Sequence, residues 1–475
     1  MPHPSPLSTA RLASILAREA PFDVVVIGAG VVGCAVTRAL ALAGARAALI
    51  EKAPDILDGA SKANSAILHT GFDAAPGSLE AHCIAAGHAE YLAIHERLGL
   101  PLDRAGALVI AWTEAEEAAL PALIDQARAN GVDDVEPLGR AALCALEPGL
   151  APGARAAFHI PREALIDPWS APHAYLAQAM AHGAVLLRSR MVTGGSFDGR
   201  LWRLATTGGS IESRLVINAA GLQGDLLDES LLGRSDFTIR PRKGQFVVYD
   251  KPAASLARHI LLPVPNAVTK GIVVCRTVWG NLLVGPTAEE QDDRDTAALV
   301  PETLAALRRR GEEILPALRD HEITATYAGL RPATEFKDYQ ITAHPTRAMV
   351  TVGGIRSTGL SAALGIAGHV LGLARSIGHD WRPPGRTLWP GVANIAETAP
   401  RDWQKPGHGG ILCHCELVTR REVLAALDGP LGVRSLAGLK RRTRVTMGRC
   451  QGFYCTAELA RLTEGRFDTA MAGPP

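Results

Sequence analysis

The segment Val24-Val25-Val26-Ile27-Gly28-Ala29-Gly30-Val31-Val32-Gly33 constrains this chain more than any other. The apolar run Phe22 to Ile27 reads as a strand buried on both faces, the kind found in parallel sheets. Glycines follow in the order G-x-G-x-x-G, the pattern then predicts a helix over Val32 to Ala43, and a second short strand, Ala47 to Ile50, ends in Glu51 and Lys52. Gly28 permits the tight turn, Gly30 lets backbone approach a pyrophosphate, and Gly33 lets helix and strand pack closely. The helix N-terminus adds N–H donors and the positive end of its dipole. Glu51 stands where an acid accepts hydrogen bonds from ribose hydroxyls. A tight turn without a ligand needs only the glycines, whereas strand, glycines, helix, strand and acid in register specify a dinucleotide site. The pattern alone does not separate FAD from NAD.

The remaining composition narrows the class. A chain of 475 residues suggests two or three domains. With 49 Lys+Arg against 48 Asp+Glu it lacks the basic excess that phosphate-backbone binding requires, so nucleic acid is not an expected partner. Hydrophobic residues make up 47% and charged residues 20%, a globular balance. The longest apolar run, Val24 to Val36, is too short and too rich in glycine to cross a bilayer. The first 20 residues carry two arginines and a glutamate without a continuous apolar stretch, so no signal peptide is expected and a cytoplasmic enzyme is. Helices are predicted over 114–130 and Pro172 to Gly183, and strands over Ala184 to Leu187 and Leu215 to Asn218. Gln245 to Tyr249, Ile272 to Arg276 and Asn281 to Val284 suggest a separate antiparallel sheet, and Arg382 to Gly410 reads as a Pro/Gly-rich linker.

A second stretch, Gly59-Ala60-Ser61-Lys62-Ala63-Asn64-Ser65-Ala66-Ile67-Leu68-His69-Thr70-Gly71-Phe72-Asp73, resembles the second flavin-contact region of the D-amino-acid-oxidase superfamily. The resemblance is to the branch holding FAD-dependent glycerol-3-phosphate and 2-hydroxyglutarate dehydrogenases. Further matches include Val216 to Gly221, Arg242-Lys243-Gly244-Gln245, Gly280 to Thr287, Ala328-Gly329-Leu330-Arg331-Pro332 and Gly353 to Leu360. The resemblance implies FAD and an α/β fold with two interleaved parts. A Rossmann-like FAD-binding domain would come from 20–95, 168–230 and 325–385, and an antiparallel-sheet substrate domain from 96–167 and 231–324. A linker, 386–404, and a small iron–sulfur domain, 405–475, would follow. It further implies that Gly28, Gly30, Gly33, Glu51 and Lys52 hold the adenosine and pyrophosphate, and that Val192 meets the adenine through its backbone. Ser61 and Asn64 would lie beside the flavin, and Gly221 would close a turn against the cofactor. Gly354 to Leu360, including Gly359, would lead into a final helix whose N-terminus stabilises negative charge on reduced flavin.

Oxidising a C–H bond beside a hydroxyl needs a base for the hydroxyl proton and an anchor for the rest of the substrate. His69 and Arg331 are the catalytic candidates. A histidine accepts a proton near neutral pH, or merely hydrogen-bonds backbone beside the flavin. The guanidinium of Arg331 suits a bidentate contact with carboxylate or phosphate, or forms a surface ion pair. Lys243 and Arg356 are further candidates for anion contacts, with a structural role as the alternative. Trp279 replaces the histidine that glycerol-phosphate relatives often carry, and either lines the pocket or packs in the core.

Cys413 and Cys415, then Cys450 and Cys455, form a C-x-C…C-x4-C frame that suits either a [2Fe–2S] cluster or a structural zinc. With Glu416-Leu417-Val418-Thr419 and Met447-Gly448-Arg449-Cys450-Gln451-Gly452 around them, they resemble the bacterioferritin-associated-ferredoxin-like [2Fe–2S] domain. The basic run Lys440 to Arg449 reads as a solvated face or as a counter-charge to the cluster. Flavin plus cluster implies a dehydrogenase of a small anionic secondary alcohol, of the glycerol 3-phosphate or 2-hydroxy acid type, draining electrons to a non-oxygen acceptor. One alternative is a component of an amine or imino-acid dehydrogenase working on opine, hydroxyproline or sarcosine-like substrates; another is a non-catalytic electron-transfer subunit. Expected partners are a second subunit, quinone-linked at a membrane, or a soluble carrier, within an oligomer or hetero-complex.

Overall fold

The computed structural model describes residues 20–265 and 271–471. Residues 1–19, most of the stretch read for a signal peptide, lie outside the described residues.

The strand Phe22–Ile27 is buried along almost its whole length and lies inside an eight-stranded sheet. Ala47–Ile50 and Val185–Leu187 run parallel to it on one side, Gly209–Asn218 and Met349–Gly353 on the other. Continuous Val/Ile/Leu runs suit these strands because helices cover the sheet. The helix Val31–Leu42 packs against Ser170–Ala181 and Gly359–Ser376, and the latter packs in turn on Leu79–Leu98. The strands Val192–Phe197 and Trp202–Thr206 form an antiparallel meander with Gly209–Asn218, and Gln340–His344 pairs antiparallel with Met349–Gly353.

A second sheet has nine strands. Its longest pairing joins Arg240–Tyr249 to Ile323–Ala333, and Val273–Arg276 and Leu282–Gly285 extend it antiparallel. One junction, Ile260–Pro263 with Ala107–Ala111, is parallel. A three-stranded sheet of Ile67–Leu68, Ala164–Ile166 and Leu102–Asp103 joins the two bodies. Because neighbouring strand residues point to opposite faces, Leu68, Ala164 and Ile166 enter the core of the first sheet, while Ile67 and Leu165 enter that of the second.

The Pro/Gly-rich segment that follows has no strand or helix from 382 to 401, yet it is pinned along the body. The Leu388 carbonyl accepts from Gln178 Nε2 at 2.7 Å, the Arg97 guanidinium lies 3.9 Å over the Trp389 ring, and the Val392 N–H donates to the Leu98 carbonyl at 2.8 Å. Ile395 and Ala396 are buried, and the Glu397 N–H donates to the Val278 carbonyl.

The C-terminal unit is a hairpin, Ile411–Cys413 with Val418–Thr419, and three short helices, Arg420–Asp428, Leu436–Thr443 and Thr456–Thr463. Its own core includes Val418, Val423, Leu439, Val445 and Leu459. Asp55 anchors it to the first sheet: the carboxylate accepts from Arg188 at 3.1 Å, from the Arg434 N–H at 3.0 Å and from the Ser435 hydroxyl at 2.6 Å. The basic run needs a correction here. Arg441 and Arg444 are buried, and Arg441 donates to the Ile56 carbonyl. Arg442 is partly buried, and desolvation lowers its guanidinium to about 9. Arg441, Arg442 and Arg444 are not a solvated face; they lie at the joint between the C-terminal unit and the body. Arg449 remains exposed and pairs with Asp250. No described helix is long and apolar enough to cross a membrane.

Candidate active site and cysteine centre

A cavity of about 1150 Å³ opens where the first strand meets its helix. That exceeds what a lone small substrate needs and leaves room for a large cofactor beside it. Gly28 takes φ 102°, and a Cβ there would lie 2.5 Å from the Ala219 carbonyl oxygen. Gly33 is not on the cavity wall; a Cβ there would lie 1.9 Å from the Gly28 oxygen, so it serves the close packing of helix on strand. Gly30 and the start of the helix face the cavity, with the Val31 N–H donating to Ser61 Oγ at 3.0 Å.

Glu51 also lines the cavity. Its Oε2 accepts from the Ala29 N–H at 2.7 Å and its Oε1 from the Ala53 N–H at 2.9 Å, so the carboxylate ties the glycine turn to the second strand. Burial pushes its carboxyl up, and these two N–H groups oppose that. Lys52 pairs with Asp295 at 3.3 Å at the rim. Val192 borders the cavity from its edge strand, and Gly221, at φ 56°, starts a turn on the same wall. Asn64 lines the cavity while its Oδ1 accepts from the Ala66 N–H at 2.7 Å, stiffening the loop. Gly359 and Leu360, the first residues of the helix Gly359–Ser376, point its N-terminus at the cavity. Gly354 lies off the wall, in a turn at φ 68°. A glycine turn at a helix N-terminus with a carboxylate beside it fits an adenine dinucleotide.

His69 follows the strand Ile67–Leu68, and the pairing Ile67↔Leu165 and Leu68↔Ala164, continued one step, sets it opposite Glu163. Nδ1 lies 2.8 Å from Glu163 Oε2. Glu163 Oε1 accepts from both the N–H and the hydroxyl of Thr70, at 2.6 and 2.8 Å. With Glu163 acting as acceptor throughout, Nδ1 carries the ring proton and Nε2 is the basic nitrogen. The His69 N–H donates to Ser361 Oγ at 2.8 Å, which ties the turn to the final helix. Sequence reasoning missed Glu163. Its only signal is strand register, which joins positions 94 residues apart.

Arg331 reaches the same cavity from the second sheet, directly opposite Arg242. Its Nη2 donates to the Thr287 carbonyl at 3.0 Å, and a Cβ on the facing Gly244 would lie 2.5 Å from that nitrogen. Burial first, then Arg242, lowers its guanidinium to about 10. Arg242 has Glu290 at 2.8 Å, whereas Arg331 has no carboxylate in ion-pair range among the described residues. The two weaker candidates are ion-paired: Lys243 with Glu289 at 3.2 Å, and Arg356 with Glu80 at 2.6 Å. Trp279 lies off the cavity wall, in the core, stacked on Trp169 with centroids 4.9 Å apart and beneath the Arg444 guanidinium.

The four cysteines gather without disulfides: Cys415 lies near Cys450 and Cys413, and Cys455 near Cys413 and Cys450. Backbone N–H groups of Tyr454, Gly452 and Phe453 turn toward Cys450 and lower its thiol, while burial raises those of Cys415 and Cys455. Among the described residues no three histidine, cysteine or carboxylate side chains converge on one point for a metal ion. Four thiolates gathered in one place can hold two bridged irons or one tetrahedral zinc.

Comparison with known proteins agrees with both centres. Residues 23–373 match the family described as FAD dependent oxidoreductase, and residues 411–464 match the BFD-like [2Fe-2S] binding domain. The chain is 31% identical to a glycerol 3-phosphate dehydrogenase of Caloramator mitchellensis, over 93% of both chains. It is 28% identical to a subunit of the anaerobic glycerol-3-phosphate dehydrogenase of Escherichia coli K12, covering 95% of this chain and 89% of that one. Among solved structures, the L-alpha-glycerophosphate oxidase of Mycoplasma pneumoniae with FAD bound superposes at a TM-score of 0.72 and 28% identity, over 81% of this chain and all of the other. With a dinucleotide cradle in its first sheet and gathered cysteines in its last unit, the chain belongs to the FAD-dependent oxidoreductase family and carries a C-terminal [2Fe–2S] domain.

Proposed function

We propose that this FAD-dependent dehydrogenase oxidises sn-glycerol 3-phosphate, or a 2-hydroxy acid of similar size, and passes the electrons through its [2Fe–2S] domain to an acceptor other than oxygen. The observation that carries this reading is Arg331: a cation without a carboxylate partner among the described residues, lining the same cavity as His69, which Glu163 backs from the interior. FAD, when bound, supplies the hydride acceptor. The chain's own groups do the rest. Arg331 binds the phosphate or carboxylate and fixes the orientation of the carbinol carbon. His69 takes the hydroxyl proton on Nε2 as the C–H bond breaks, and Glu163 stabilises the resulting imidazolium through Nδ1. The N-terminus of the helix Gly359–Ser376, which borders the same cavity, would stabilise negative charge on a reduced flavin held there. Gly28, Gly30, Glu51, Lys52, Val192 and Gly221 hold the adenosine and pyrophosphate in this reading, and Ser61 and Asn64 border the flavin.

The relatives named as glycerol 3-phosphate enzymes favour the phosphate substrate, and the Escherichia coli relative, named as one subunit of its enzyme, supports a partner protein. Any attachment to a membrane quinone pool would run through that partner from the cytoplasmic side. The test is anaerobic: the purified chain is mixed with sn-glycerol 3-phosphate or 2-hydroxyglutarate while the flavin band is followed. Bleaching by one of them, followed by the signal of a reduced cluster, supports the reading; a flavin that dithionite reduces and neither compound touches overturns it.

A further inference from the structure

We propose that the stacked pair Trp169 and Trp279, capped by Arg444, is the electron path from the flavin cavity to the cysteine centre. The inference rests on the reading that electrons leave through the cluster. Two electrons arrive as a hydride, but a [2Fe–2S] cluster takes one at a time, each converting one ferric ion to ferrous. Each electron passes on to a one-electron acceptor, a quinone-linked or ferredoxin-like carrier, before the next follows, and the flavin proton goes to solvent. The tryptophans are neither oxidised nor reduced; they supply the contact through which each electron tunnels.

The contacts form an unbroken series. Lys62, on the cavity wall between Ser61 and Asn64, accepts from the Trp169 indole N–H at 3.1 Å through its carbonyl. The Trp169 and Trp279 rings stack with centroids 4.9 Å apart and planes 22° from parallel. The Arg444 guanidinium carbon lies 4.4 Å from the Trp279 centroid, and its Nε donates to Glu416 at 2.8 Å. Glu416 adjoins Cys415, which packs so closely on Gly448 that a Cβ there would lie 2.3 Å from the Cys415 Cβ. The joint around Asp55 is polar and ends in Arg434 and Ser435, well before Cys450 in sequence, and the contacts that flank Cys450, Arg449 with Asp250 and the Gln451 amide with the Thr324 carbonyl, meet residues off the cavity wall. Packing alone does not account for the choice of tryptophan at 279. Its indole N–H is buried with no hydrogen-bond partner among the described residues, a cost that phenylalanine or leucine would avoid. The arginine over its face further fixes the ring between cavity and cluster.

The test uses the full holoenzyme, with Trp279→Leu and the milder Trp279→Phe. Flavin is reduced photochemically, so the result does not depend on the substrate, and the reduced cluster is counted by freeze-quench EPR. Cluster midpoint potential and limited proteolysis are recorded for each variant, to separate coupling from driving force and from undocking. The expected result is a cluster reduced roughly tenfold or more slowly in Trp279→Leu and by a smaller factor in Trp279→Phe, with dithionite reducing the cluster at the wild-type rate. If the leucine variant undocks, the phenylalanine variant decides. A docked variant with unchanged potential that transfers electrons at the wild-type rate overturns the proposal. Failure of both glycerol 3-phosphate and 2-hydroxyglutarate to bleach the wild-type flavin would instead overturn the substrate reading alone.

Discussion

Glu163 is fully buried behind His69 and spends one oxygen on Thr70 and the other on the imidazole. An amide in its place would have to turn an N–H₂ toward one of these donors, so Glu163→Gln should disturb the ring tautomer without disturbing the flavin cradle. We expect kcat to fall by about 10²-fold with flavin content unchanged, measured as single-turnover bleaching against the flavin-to-protein ratio. At Arg331 the effect belongs in binding. Arg331→Lys replaces a planar fork with a point charge and should raise KM for an anionic substrate by about 10-fold, with a smaller change in kcat. The sign with pH follows from burial: the guanidinium is held near 10, charged below that value and neutral above it. KM should therefore climb as pH approaches 10 and stay flat through neutrality, and a steady-state series across that range would show it.

At the scale of elements, much of the site was legible because its determinants are local. The glycine turn, the helix behind it and Glu51 fall within one βαβ unit, and the predicted strands Phe22 to Ile27 and Ala47 to Ile50 match the observed ones. Glu163 was not legible, because it reaches His69 only through the register of a two-residue strand. The run Lys440 to Arg449 read as a solvated face for a related reason: charged residues usually face water, and nothing nearby in sequence reveals Asp58 or Trp279 as the counterparts of Arg441 and Arg444. That joint makes its own prediction. Asp55→Ala leaves the partly buried Arg188, the Arg434 N–H and the Ser435 hydroxyl without their acceptor, and should cost about 3–5 kcal/mol of docking. Limited proteolysis should then release the C-terminal unit under conditions that leave the wild type intact. Cys450→Ser separates the two centres differently: the cluster absorbance should vanish while substrate still bleaches the flavin, and survival of the cluster would remove Cys450 from the ligand set.

For the molecule as a whole, what counts is that hydride chemistry and single-electron export sit in units that the fold holds together. The nine-stranded sheet contributes Arg331, the first sheet the glycine turn, and the three-stranded sheet between them sets His69 opposite Glu163. The segment from 382 to 401 then leads to the cysteines along the surface of the body, stapled by Arg97, Gln178 and Leu98. Many multi-centre redox enzymes move a carrier domain on a loose tether, so that the slow step is a diffusive swing. Here the strap is bonded along its course, which makes the cluster unit a fixed terminal rather than a shuttle. Internal electron transfer should accordingly be indifferent to sucrose viscosity, and only the encounter with the outside acceptor should slow as the solvent thickens.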